Sequence, residues 1–191
     1  MVLTIDIGNT TIGIGGFQGN KLLFIEKISS RRPLSDAGYI EKLNMILNKH
    51  GLSAEAFEGS MISSVVPSVT AVFSSALETF LGRKPLILSH KLDLGYEICT
   101  EFPEKVGCDR LADIAGAISR YSLPFVTIDL GTATTFNVLD ENRRFLGGLI
   151  LPGVGTAHRA LLGKTAQLPK GDIHMPAHTI EIGRASCRER V

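Results

Sequence analysis

The chain has no tryptophan, three cysteines and almost no net charge. Cys99, Cys108 and Cys187 are scattered, odd in number and never arranged as CxxC. That pattern speaks against a disulfide framework or a zinc cluster and fits a reducing compartment. Twenty Lys and Arg stand against nineteen Asp and Glu, a net charge of +1, so there is no electrostatic footprint for nucleic acid or a membrane surface. No apolar run approaches the roughly 18 residues of a membrane span. Asp6 interrupts the first apolar stretch too early for a secretory signal. No Gly-x-x-x-x-Gly-Lys-Ser/Thr is present, which excludes a P-loop, and no Gly-x-Ser-x-Gly supports a serine hydrolase. His50, His90 and His158 stand alone and read as surface or satisfied residues. His174 and His178 have i,i+4 spacing, but Pro176 between them opposes the helix a metal pair would need. What remains is a soluble, cytoplasmic α/β protein of 191 residues, 44% hydrophobic and long enough to bury a core.

The punctuation of the chain predicts its elements. Residues 2–7 are a β-branched run, Gly8-Asn9 a turn, and residues 10–16 alternate as a second strand. Gly19-Asn20 is the next turn and residues 21–28 a third strand. Ser35 and Asp36 can start a helix with Ile40, Leu43, Ile46 and Leu47 on its apolar face and Gly51 as its stop. Residues 60–66 read as a buried strand ending at Pro67. Residues 70–81 read as a helix stopped by Gly82, and 85–88 as a strand. Leu111, Ile114, Ala115 and Ile118 mark a further helix, on which Asp113 reads as a solvated position.

The most informative feature is an internal repeat. Thr4-Ile5-Asp6-Ile7-Gly8-Asn9-Thr10-Thr11 returns as Thr127-Ile128-Asp129-Leu130-Gly131-Thr132-Ala133-Thr134. Each copy is a hydrophobic strand, an Asp-x-Gly turn with hydroxyl residues, and two more strands, which suggests a duplicated lobe. Glycine lets the backbone turn tightly and brings N–H groups close to a ligand. With Thr10, Thr11, Thr132 and Thr134 adding hydroxyls, such a concavity suits phosphate oxygens. Asp6 and Asp129, at strand ends, either cap their own turns or hold a cation directly or through water.

Two further segments carry chemistry. In Gly107-Cys108-Asp109-Arg110, the carboxylate is either a helix cap or a proton acceptor for a substrate hydroxyl, with Arg110 holding an anionic group. Gly147-Gly148 permits close backbone approach, and Pro152-Gly153 turns the chain into a helix around residues 156–162.

Taken together, Asp6 to Thr10, Ser63-Ser64-Val65-Val66-Pro67, Val106 to Arg110, Asp129 to Thr134 and Gly147-Gly148 through Pro152-Gly153 resemble the type III pantothenate kinases. These belong to the acetate and sugar kinase/Hsp70/actin superfamily. The motifs run in family order from residue 1 to about Pro169. The resemblance implies two duplicated actin-like (ribonuclease H-like) lobes, at residues 1–122 and 123–181, the second incomplete. It implies a homodimer, and a kinase using ATP-Mg and a monovalent cation (K+ or NH4+) to phosphorylate pantothenate. It implies that Asp6, Ile7, Gly8, Asn9, Thr10, Thr11, Ile12 and Gly13 bind ATP, with Asp6 directed at Mg2+. Thr132 would contact ATP, and Asp129 would sit at the monovalent cation. Gly107, Cys108, Asp109 and Arg110 would bind pantothenate, with Asp109 the proton acceptor. Thr100 falls where the family often has an aromatic substrate contact. Two other readings keep the same loops: another small-molecule kinase of the superfamily, or a non-catalytic accessory paralogue.

The last ten residues, 182–191, have no hydrophobic period. Ile182-Gly183-Arg184-Ala185-Ser186-Cys187-Arg188-Glu189-Arg190-Val191 is what ATC GGA AGA GCG TCG TGT AGG GAA AGA GTG encodes, a common sequencing-adapter sequence. The expectation is an artefact joined to a reading frame truncated near Glu181, leaving apolar surface exposed and the chain poorly folded or inactive. Resequencing the source DNA across codon 181 decides it.

Overall fold

Alternation along the first six strand residues places Leu3, Ile5 and Ile7 on one face, all fully buried in the computed structural model, which describes residues 1–164. This strand, β1 (Val2–Ile7), pairs antiparallel with β2 (Thr11–Gln18), which pairs antiparallel with β3 (Lys21–Ser29). β4 (Gly59–Ser64) and β5 (Leu86–Ile87) extend the sheet in parallel, in the order β3-β2-β1-β4-β5. The crossovers run through α1 (Asp36–Lys49) and α2 (Pro67–Leu81). Ser35 caps α1, its Oγ accepting the Gly38 N–H at 3.3 Å. Pro67 occupies the first turn of α2, where a missing N–H costs nothing, so the helix starts three residues before the expected Thr70. Gly82, at φ 67°, ends it in the left-handed region. Tyr39, Leu43 and Leu47 of α1 and Phe73 and Leu77 of α2 pack with the β1 stripe, the Tyr39 and Phe73 rings 4.5 Å apart.

The second sheet repeats the meander. β7 (Phe125–Leu130), β8 (Ala133–Leu139) and β9 (Arg144–Pro152) pair antiparallel, and β6 (Glu97–Ile98) joins β9 in parallel. β6 has only two residues, too few for any period to announce it. Its partner is supplied from 46 or more positions downstream, by Arg144 and Phe145. α3 (Cys108–Ile118) lies between the sheets, contacting β4, β7 and β8 and burying Ile114 with Leu139 and Phe145. α4 (Val154–Lys164) follows β9. The architecture is thus α/β with two sheets of one design, as the repeat predicts, and actin-like, as the resemblance implies. Here β6 crosses to the second sheet before residue 122.

The two copies differ in cover. Ile5 and Ile7 are 1% and 0% exposed, whereas their counterparts Ile128 and Leu130 are 55% and 75% exposed. Val126, Leu149 and Leu151 share that open face by register and are exposed too. The expectations for His174, His178, Cys187 and residues 182–191 lie outside the described residues.

Candidate active site

The repeat builds two like turns, and the fold brings them into contact. In the first, the Gly8 N–H donates to the Thr11 carbonyl at 3.0 Å; in the second, the Gly131 N–H donates to the Ala133 carbonyl at 2.9 Å. The hydroxyls of Thr10 and Thr132, 122 residues apart in sequence, share a hydrogen bond of 3.2 Å. Asn9, Thr11 and Thr132 are exposed at this junction. Ile7 and Ile12 face each other across β1 and β2 with side chains fully buried, so only their backbones can serve a ligand. Gly13 stands opposite Asp6, where an added Cβ would lie 3.8 Å from the Asp6 Cβ.

Carboxylates gather beneath the turns. Burial raises the Asp6 pKa above the usual carboxylate value, Ser63 beside it opposes the rise, and the charges of Asp109 and Asp129 add to it. Asp113 is displaced further, from 3.8 to about 6, by burial first and then by repulsion from Asp129, Asp109 and Asp6. This corrects the expectation of a solvated Asp113: the residue is half-buried and turned toward the other three acids. Spacing on α3 could not show that, because β7 and β8 supply the opposite wall. The Oγ1 of Thr135 is buried without a hydrogen-bond partner among the described residues. Thr135 stands directly across the ladder from Asp129, and Ser63 from Asp6.

The N-terminus of α3 closes the site. The Asp109 Oδ1 accepts the Arg110 N–H at 2.8 Å, folding the carboxylate back over the helix start. A Cβ at Gly107 would meet that Asp109 oxygen, so a larger residue there would turn the carboxylate out of this position. Cys108 turns away: its thiol donates to the Leu88 carbonyl at 3.1 Å, and burial raises its pKa, so it packs rather than reacts. Arg110 crosses to the second sheet, where Nε donates to the Asn137 Oδ1 at 2.6 Å and Nη2 to the Phe136 carbonyl at 3.2 Å. Thr100 reaches the same place, its methyl 3.8 Å from where a Cβ on Gly147 would stand. Its hydroxyl is buried and unpartnered among the described residues.

The remaining features lie apart from this cluster. His50 is satisfied, with Nε2 2.9 Å from Glu26 Oε1 and its ring stacked on Phe24. A cavity of about 450 Å3 lined by Ser64, Pro67, Thr70, Ala71, Ser74 and Ile87 holds no titratable group. Among the described residues no three His, Cys, Asp or Glu side chains converge in a geometry that would hold a metal by themselves. No described helix is long and apolar enough to cross a membrane.

Two like sheets meeting at paired Asp-x-Gly turns, with the charge of an α3 acid felt at the first of them, make an α/β fold of the actin-like class. The sequence profile of the type III pantothenate kinases matches residues 2–187, and the chain belongs to that family. A type III pantothenate kinase from Bifidobacterium animalis subsp. lactis is 40% identical over 176 residues, 92% of this chain and 70% of that protein. One from Finegoldia magna is 36% identical over 180 residues, 94% of this chain and 69% of that protein. Among solved structures, one described as a conserved Baf family transcriptional activator from Campylobacter jejuni superposes with a TM-score of 0.54 at 17% identity. The match covers 96% of this chain and 70% of that one, and it speaks for the fold alone.

Proposed function

We propose that the chain transfers the γ-phosphoryl group of ATP to the primary hydroxyl of pantothenate, the first step toward coenzyme A. The observation that carries the reading is the facing pair of turns, joined through Thr10 and Thr132 and flanked by Asp6, Asp109 and Asp129. Backbone N–H groups left free by the turn in residues 9–13 and the hydroxyls of Thr10, Thr11 and Thr132 cradle the polyphosphate. Asp109 accepts the proton of the attacking hydroxyl, and Gly107, Arg110 and Thr100 position pantothenate.

The donors present fit cations. All are hard oxygens, burial first and mutual repulsion after it raise Asp6 and Asp113, and they do not form a closed cage. That suits Mg2+ held by one or two carboxylates together with substrate phosphates. Asp6 would hold Mg2+, and Asp129 a monovalent cation, K+ or NH4+. When bound, the cations offset negative charge on the transferring phosphoryl group. A cytoplasmic homodimer is part of the same reading, and sedimentation tests the oligomeric state.

Asp109→Asn removes the proton acceptor. Turnover of pantothenate, followed as ADP release, is expected to fall about 10²–10⁴-fold while ATP binding persists. Near-normal turnover in that variant removes Asp109 from the role.

A further inference from the structure

Asn137 is fully buried in the middle of β8, and both ends of its amide are used. Its Oδ1 accepts the Arg110 Nε–H at 2.6 Å, and its Nδ2 donates to the Thr127 hydroxyl at 3.0 Å on β7. A second bond ties the Arg110 Nη2 to the Phe136 carbonyl, and the guanidinium lies 5.4 Å from the centre of the Phe145 ring. Gly148, directly across the ladder from Asn137, leaves the space: a Cβ there would collide with the Phe136 carbonyl and stand 2.9 Å from the Arg110 Nη2. An arginine from the first turn of α3 is therefore held from two sides by the second sheet. Its Nε–H and one Nη2–H are spent on protein, and the Nη1 pair has no partner among the described residues.

We propose that Asn137 is a positioning residue for the anionic substrate. It locks the Arg110 guanidinium in one orientation, so that the unspent N–H groups meet a carboxylate without first losing side-chain freedom. A free arginine side chain loses rotamer entropy when it binds, and a planar fork already fixed in place binds a carboxylate with less of it left to lose. The residue before it is held separately: the Asp109 carboxylate accepts the backbone N–H of Arg110 at 2.8 Å. This role accounts for Asn137 being polar in a buried strand position, and for Gly148 beside it. It deepens the pantothenate reading and rests on it, since the carboxylate is that of pantothenate.

Two substitutions of similar size separate the outcomes. Asn137→Leu removes the acceptor, and Asn137→Asp keeps it. Asn137→Leu is expected to raise the KM for pantothenate about tenfold, the loss of one charged hydrogen bond, with the KM for ATP unchanged. Asn137→Asp is expected to restore it. A fall in both substrates' affinities in step with the melting temperature, or equal behaviour of Leu and Asp, overturns the proposal. A second readout needs no substrate: the Arg110 Nε–H resonance in 15N NMR is expected to be protected from exchange in the parent and in Asn137→Asp, and lost in Asn137→Leu. If the parent neither binds nor phosphorylates pantothenate, the functional reading fails, and the NMR comparison decides the lock by itself. Protection that survives Asn137→Leu sinks the lock.

Discussion

A carboxylate one turn into α3 illustrates how much a single residue depends on its surroundings. Asp113 follows Asp109 by four positions, and nothing local separates an acid facing solvent from one facing three others. In the fold its pKa rises to about 6, through burial and repulsion by Asp129, Asp109 and Asp6. The folded chain then holds this proton more tightly than the unfolded chain does. Stability contributed by protonated Asp113 is complete below about pH 4 and is lost as pH rises through about 6. Asp113→Asn removes the loss. Allowing for partial solvent exposure, the variant is expected to gain about 1–2 kcal/mol at pH 7.5 and nothing at pH 3.5. Urea melts at the two pH values, in EDTA and in buffer free of K+ and NH4+ so that these cations do not offset the repulsion, check this. An equal effect at both would remove the electrostatic account. Asp6 and Asp109 were legible because glycines frame them; Asp113 has no such frame.

At the scale of elements, the start of α4 acts on the second turn. Pro152-Gly153 is legible as a strand-to-helix turn, but its neighbour is not. The Gly153 N–H donates to the Thr132 carbonyl at 3.0 Å, and the Thr156 hydroxyl donates to the same oxygen at 2.8 Å. A Cβ on Gly153 would collide with the Gly131 carbonyl, and the Thr132 carbonyl is next. Gly153→Ala must therefore push the helix or the turn aside. It is expected to cost about 1–3 kcal/mol of stability and to weaken ATP binding, measured by calorimetry. Thr156→Val removes one hydrogen bond and is expected to cost about 1 kcal/mol. Unchanged ATP affinity in Gly153→Ala would show that the turn does not depend on its buttress. β6 makes the complementary point: two residues cannot show a period, and only pairing with Arg144 and Phe145 makes them a strand.

Across the whole molecule, the two lobes share a pattern and differ in cover. Leu3, Ile5 and Ile7 are sealed by α1 and α2, while Val126, Ile128 and Leu130 present the same stripe to solvent. Contiguous exposed apolar surface of this kind promotes association. The 191-residue chain is expected to self-associate with rising concentration, as read by light scattering. Ile128→Lys with Leu149→Lys is expected to suppress this without touching the Asp129 face. Scattering that does not change with the double substitution would place the association elsewhere. The join between the lobes at Thr10 and Thr132 spans 122 positions, and no local pattern could have announced it.

The sequence by itself determined the two meanders, the presence of the helices with their capping Ser35 and Gly82, and the Asp-x-Gly turns. Each of these is written in near-neighbour chemistry: alternation, caps, and glycines at tight turns. The family followed from the order of those motifs. Tertiary structure alone decided which groups face one another. It turned Asp113 into the acidic cluster, spent Arg110 on Asn137, and chose which apolar stripe of the second sheet stands open. Those outcomes depend on distances between residues remote in sequence, which are set only when the sheets and helices pack.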